Sequence, residues 1–107
     1  MTNDQFRIEL WPDAEKDLKR HRTHAQTIRE NLKKLEADPN KGHRLTGKLS
    51  GARSLEFNVK GSGAFRAIYV ALPNQTICLV FILGPHENIY SRAESRWEAI
   101  KREYSVE

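Results

Sequence analysis

Phe6, Ile8 and Leu10 alternate with Arg7, Glu9 and Trp11, and this two-residue period predicts a short strand with one face buried. Pro12 ends the alternation. Its fixed φ suits the first turn of a helix, and Asp13 and Glu15 behind it complement the positive end of the helix dipole. Such a helix would turn Ala14 and Leu18 inward. A break around His21 to Thr23 leads to a second helix, in which Ala25, Ile28, Leu32 and Leu35 recur at helical spacing and Thr23 with Gln26 makes a capping box. Asp38-Pro39-Asn40 ends it, because the residue before a proline is driven out of the α region. Residues 41–51 are expected to be a loop.

The period then returns to two. Leu55, Phe57 and Val59 alternate with Ser54, Glu56, Asn58 and Lys60, and Gly61-Ser62-Gly63 turns the chain into a partner strand, Phe65 to Leu72. After the turn Pro73-Asn74-Gln75, Thr76 to Leu83 is almost unbrokenly β-branched and apolar, as in a central strand covered on both faces. Ala93, Trp97, Ile100 and Tyr104 stripe a final helix, with Ser91 and Glu94 as a capping box and Glu98 placed to pair with Arg102. Trp97 and Ile100 are read as core or partner contacts. The predicted fold class is α+β: an N-terminal strand, a two-helix hairpin, three further strands forming a mainly antiparallel twisted sheet, and a C-terminal helix. With the hairpin on one face of the sheet, the other face is expected to be open, and its outward residues become the candidates for chemistry.

At 107 residues, without repeat or linker, one domain over residues 1–107 must carry the whole function. Charged residues make up 30% and the mean hydropathy is -0.69. Gathering of the apolar residues into periodic runs nevertheless argues for a folded chain. No apolar run approaches the roughly 20 residues that span a bilayer, and the first ten residues lack the apolar stretch of a signal peptide. These features predict a cytoplasmic protein without membrane contact. Cys78, the single cysteine, sits in an apolar run and is expected to be a buried thiol. No histidine pair has zinc-ligand spacing with credible partners, and His21 and His24 are expected in solvent. The 18 Lys and Arg exceed the 14 Asp and Glu, for a net charge of +4, which favours a polyanionic or acidic partner.

Four segments, in order, resemble the RelE/ParE superfamily of toxins. They are the helical hairpin, Lys48-Leu49-Ser50-Gly51-Ala52-Arg53-Ser54, Phe65-Arg66-Ala67-Ile68-Tyr69, and Gly84-Pro85-His86-Glu87-Asn88-Ile89-Tyr90 leading into Ala93. The family pattern is a leucine-x-glycine turn before the second strand, an aromatic-Arg-x-x-Tyr strand, and a fourth strand ending in Gly-x-(Arg or His) with a Tyr just beyond. Each motif is short, and their order and spacing carry the resemblance, which extends from Phe6 to Trp97. It implies a RelE-like fold and a toxin of a bacterial type II toxin-antitoxin system. The family divides into ribosome-associated mRNA endonucleases and gyrase poisons of the ParE type.

By this resemblance Arg66 is the recurring strand arginine, Arg53 the basic residue after the leucine-x-glycine turn, and Tyr90 the tyrosine that begins the last helix. His86 stands where RelE-like members have arginine and the YafQ-like branch has histidine. Phe57 and Val59 occupy the second-strand positions where RelE has two lysines, so that version of the site is absent. The YafQ-like pattern instead places its two histidines at His43 and Glu56, and that branch's further acidic residue has no counterpart here. Metal-free RNA cleavage needs a base for the 2'-hydroxyl, an acid for the leaving 5'-oxygen, and cations around phosphorus, for which Glu, His and Arg are suited. The implied catalytic set is His43, Glu56, Arg66, His86 and Tyr90, with Arg53, Lys48 and Lys60 on RNA phosphate and no metal or cofactor. Glu56 or His43 would be the base and His86 the acid, roles that could be exchanged. Arg66 would stabilise the transition state, and Tyr90 would orient phosphate or stack on a base.

The resemblance implies as partners a cognate antitoxin, mRNA with the ribosome, and operator DNA bound by the toxin-antitoxin complex. Two alternatives stand beside the nuclease: a ParE-like inhibitor of DNA gyrase, which needs no acid-base set, and a catalytically inactive member that only binds its antitoxin.

Overall fold

Among residues 5–106, which the computed structural model describes, five strands and three α-helices follow one another. They are β1 (Arg7–Leu10), α1 (Pro12–Arg20), α2 (Ala25–Ala37), β2 (His43–Arg44), β3 (Arg53–Val59), β4 (Gly63–Leu72), β5 (Ile77–Pro85) and α3 (Ile89–Tyr104). The sheet order is β1-β5-β4-β3-β2. β1 lies parallel to β5, and every other pairing is antiparallel. The predicted α+β class therefore holds, and β5 is interior as its apolar run requires.

Both faces of the sheet are covered over much of their area. On one, Ala14 and Leu18 of α1 and Ile28, Leu32 and Leu35 of α2 pack on Phe57, Phe65, Tyr69 and Val80. On the other, Ile89, Ala93, Trp97 and Ile100 of α3 pack on Ile68, Val70 and Leu79. A bulge lies where Ile68 opposes Ile82 but Tyr69 opposes Val80. It turns the consecutive residues Phe81 and Ile82 to the α3 side, and Phe81 stacks on Trp97 with ring centroids 5.3 Å apart. The expectation of an open second face is thus corrected, because α3 folds back over β4 and β5. Only the β3–β4 end of that face remains for chemistry.

Other expectations need local correction. The predicted loop at 41–51 contains strand β2 and a 3-10 turn, Gly47–Leu49. Neither capping box forms. A 3-10 turn at Arg22–His24 precedes α2, and α3 starts at Ile89 behind Asn88 in the left-handed conformation, so that Ser91 lies inside the helix. Glu98 pairs with Lys101 at 3.2 Å rather than with Arg102. His21 and His24 are not free in solvent, since both rings meet the edge or face of Phe65 and His24 Nε2 lies 2.9 Å from Ser62 Oγ. Burial holds the His21 imidazolium below its ordinary pKa, partly offset by Asp17.

Where β1 stops, two side chains take over its edge. β1 is last in register at Leu10 opposite Val80, so the next backbone groups of β5 on that side would be orphaned. The buried Asp17 carboxylate accepts the Leu83 N–H at 3.2 Å, and Arg96 donates to the Phe81 carbonyl at 2.9 Å. Arg96 and Asp17 also join each other, at 2.7 and 3.3 Å. The pair therefore extends the sheet and ties α1 to α3 around its edge.

Candidate functional site

β3 and β4 place Glu56 directly opposite Arg66. Alternation along both strands sends Leu55, Phe57, Phe65 and Ala67 into the core beneath the hairpin, so Glu56 and Arg66 project from the opposite face. There the Arg66 guanidinium forms an ion pair with Glu56. It also donates to the Tyr90 hydroxyl and lies 5.1 Å from the centre of the Tyr90 ring. The Tyr90 hydroxyl reaches Ser54 Oγ at 3.5 Å. Arg66 side-chain exposure is 13% against 48% for Glu56, and Arg66 Nε is buried with no hydrogen-bond partner. The arginine is thus a held cation with one orphan donor, beside a carboxylate half in water.

Tyr90 comes to Arg66 because of the turn that follows β5. Gly84 is the cross-strand partner of Arg66, and the His86 N–H continues the pairing to the Ala64 carbonyl at 3.3 Å. Asn88, at φ 56°, then redirects the chain into α3, whose first turn carries Tyr90. His86 is exposed on this turn, where a loop can present an imidazole to a ligand.

His43 reaches the same face by a different route. β2 places it opposite Ser54, and direct partners in an antiparallel pair share a face. A clamp beneath holds this short strand in place. The Tyr69 hydroxyl donates to the Pro39 carbonyl at 2.6 Å and accepts from the Gly42 N–H at 2.9 Å. Arg53 donates to the carbonyls of Asn40, at 3.2 Å, and Gly42, at 2.7 Å. A Cβ at Gly42 would come within 2.8 Å of both the Ser54 carbonyl and the Tyr69 ring, so only glycine fits there. Burial raises the Tyr69 phenol above its ordinary pKa, keeping it a hydrogen-bond donor.

The structure therefore brings Glu56, Arg66 and Tyr90 into contact, sets His43 on the same side of the sheet, and leaves His86 exposed on the turn beyond β5. Arg53 is opposite Tyr69, on the hairpin side, with its guanidinium engaged by backbone carbonyls. Lys48, in the 3-10 turn, and Lys60, just after β3, are exposed. Sequence reasoning missed Ser54, Gly42 and Tyr69 as supports. Ser54 was signalled by its place two residues before Glu56 on one strand face and Tyr69 by the aromatic-Arg-x-x-Tyr pattern, whereas Gly42 was visible only through the close approach it makes. Among the described residues no group of three or more His, Cys, Asp or Glu is placed to hold a metal ion, and no helix is long and apolar enough to cross a membrane.

A protein-family model described as the ParE-like toxin of type II bacterial toxin-antitoxin systems matches residues 10–94. No curated protein matches the sequence. Among solved structures, a doubly substituted E. coli toxin RelE in the free state is similar, with a TM-score of 0.62 and 20% identity over 86% of this chain and 97% of RelE. The RelBE2 toxin-antitoxin complex of Mycobacterium tuberculosis gives 0.60 and 18% identity over 77% of this chain and 92% of that one. A substituted E. coli RelE bound to a peptide of the antitoxin RelB gives 0.53 and 25% identity over 83% and 94%.

Proposed function

The chain belongs to the ParE-like toxin family of type II bacterial toxin-antitoxin systems, and from that membership we propose that it stops translation by cutting mRNA on the ribosome without a metal ion. The observation that carries this reading is the cross-strand Glu56–Arg66 pair closed by Tyr90, with His43 on the same face and His86 exposed on the turn beyond β5. A surface that acted by binding alone would have no need of a carboxylate paired with a held arginine and a tyrosine.

An incoming phosphate competes with Glu56 for Arg66, since both are anions suited to its planar fork. As Arg66 turns to the phosphate, the freed Glu56 carboxylate takes the proton of the 2'-hydroxyl, with His43 as the alternative base. The 2'-oxygen attacks phosphorus, the bond to the 5'-oxygen breaks, and His86 gives its proton to that oxygen. The products are a 2',3'-cyclic phosphate and a 5'-hydroxyl. Arg66 offsets the charge that develops at phosphorus, and Tyr90 keeps the guanidinium in place or stacks on the adjoining base. Lys48 and Lys60 add phosphate contacts at the rim, whereas the carbonyl-bound Arg53 serves to hold the His43 strand.

The partner that silences the protein is proposed to be a small antitoxin, as in the RelBE complexes that share its fold, with operator DNA bound by the pair. This assigns the toxin to the cytoplasm. The family description as ParE-like favours a second reading, inhibition of DNA gyrase. Primer-extension mapping of a reporter mRNA after brief induction of wild type, Arg66→Ala and His86→Ala separates the two. Discrete cuts with wild type alone are expected. Growth arrest with intact mRNA and cleaved or relaxed DNA would replace the nuclease with the gyrase inhibitor.

A further inference from the structure

Three guanidiniums surround the buried Asp17 carboxylate, but only one is hydrogen-bonded to it. Arg96 takes both oxygens, and the Leu83 N–H takes a further acceptor position. Arg20, from the last turn of α1, stands 3.5 Å away with its side chain 66% exposed. Arg92, from the first turn of α3, stands 3.8 Å away with its side chain 43% exposed. Asp13 approaches this group only through Arg96, at 3.8 Å. Three cations thus face two carboxylates, and the two outer guanidiniums keep donors directed to solvent.

The position of Arg92 is costly by local rules. Acidic residues are favoured in the first turn of a helix and cations disfavoured, yet the first turn of α3 has no acidic residue. Arg20, by contrast, suits the negative end of α1. The ion pair of Arg92 with Asp17 offsets part of that cost, and the helix end and the half-exposed guanidinium attract the same anion. The array lies at the end of β5 that also carries the strand partner of Arg66. His21 follows Arg20, and its Nε2 would lie 3.8 Å from a Cβ at Gly84, the strand partner of Arg66.

We propose that Arg20 and Arg92 form a phosphate-binding subsite that takes the backbone of RNA running away from the Arg66 site. It rests on the ribonuclease reading. Asp17 acts as the common anchor, fixing the separation of the two arginines so that they receive phosphate with little loss of side-chain freedom.

The test is equilibrium binding of a labelled single-stranded oligoribonucleotide, with cleavage blocked by a 2'-deoxy substitution, across a salt series. Losing two contacts lowers the slope of log affinity against log salt by about 1.4 and weakens binding roughly 25-fold at about 0.1 M salt, at about 0.7 per phosphate on a single strand. Arg20→Gln/Arg92→Gln is expected to show this loss, with its thermal midpoint unchanged. Arg20→Lys/Arg92→Lys is expected to restore the slope. Cosedimentation with ribosomes, with and without bound message, distinguishes messenger from ribosomal RNA as the source of the phosphate. Unchanged slope and unchanged ribosome binding in the glutamine variant would overturn the subsite while leaving the nuclease intact. A wild type that binds neither RNA nor ribosomes would overturn both.

Discussion

Of the carboxylate–guanidinium pairs that cross between elements of this fold, Asp17–Arg96 and Glu56–Arg66 differ in what the surroundings leave undone. At the edge of β5 the carboxylate of Asp17 is buried, and it and the part-buried Arg96 satisfy backbone groups as well as each other. Glu56 and Arg66 meet across β3 and β4 with the carboxylate half in water and one arginine donor unpaired. A buried carboxylate held by Arg96 and a backbone N–H cannot give up that arginine without losing its burial, whereas the half-exposed Glu56 can yield Arg66 to phosphate at modest cost. The same chemistry therefore supports the fold at one place and is available for function at the other.

The comparison is broken most directly at Asp17. Asp17→Ala strands Arg96 and the Leu83 N–H in the interior, and a loss of about 3–5 kcal/mol is expected in urea unfolding, as for other broken buried pairs. A loss under about 1 kcal/mol would make the two pairs equivalent. Arg66→Ala should do the reverse, lowering cleavage by about 10²–10³-fold with a smaller loss of folding stability than Asp17→Ala, because the carboxylate it leaves behind is half in water. Single-turnover cleavage and thermal unfolding of one preparation read both.

Glu56→Gln sharpens the contrast further. It removes a base and also a competitor for Arg66, so cleavage should fall about 10²-fold while RNA binds more tightly. Parallel weakening of both would mean that Glu56 only holds Arg66 in place. The smallest effect belongs to His21, beside Asp17. Its folded pKa lies below the ordinary 6.5, so the unfolded chain takes up the proton first and stability declines as pH falls through 6.5. His21→Gln should flatten that part of the stability profile.

The period of apolar residues was sufficient to read β1, both helices of the hairpin, β3 to β5 and α3, because each buries at least one stripe. It could not specify partners, and the parallel docking of β1 on β5 is not written in either strand alone. β2 escaped because two residues have no period. Capping boxes were misread at both sites since the sequence pattern Thr23–Gln26 or Ser91–Glu94 does not fix where a helix starts. Asp17 was readable in principle: at helical spacing from Ala14 it puts a charge on an inward stripe, which demands a partner. Its partner Arg96 lies on an element that only the folded chain brings near. The proposed site drew on the family resemblance for its roles, while the Glu56–Arg66 pairing and the clamp under His43 depend on strand register.

The parallel pairing of β1 with β5 also has a consequence for synthesis. β1 precedes the other elements of the sheet, yet its partner β5 and the Arg96 that seals its end follow the other strands. Non-local pairing of this kind makes closure a late event in folding, and domains emerging from the ribosome complete it only when the distant segment is available. A nascent chain that ends before residue 77 lacks β5, and with it the strand that joins β1 to β4. Interrupted translation of this protein therefore yields unfolded fragments that are open to proteolysis, and no partly assembled poison.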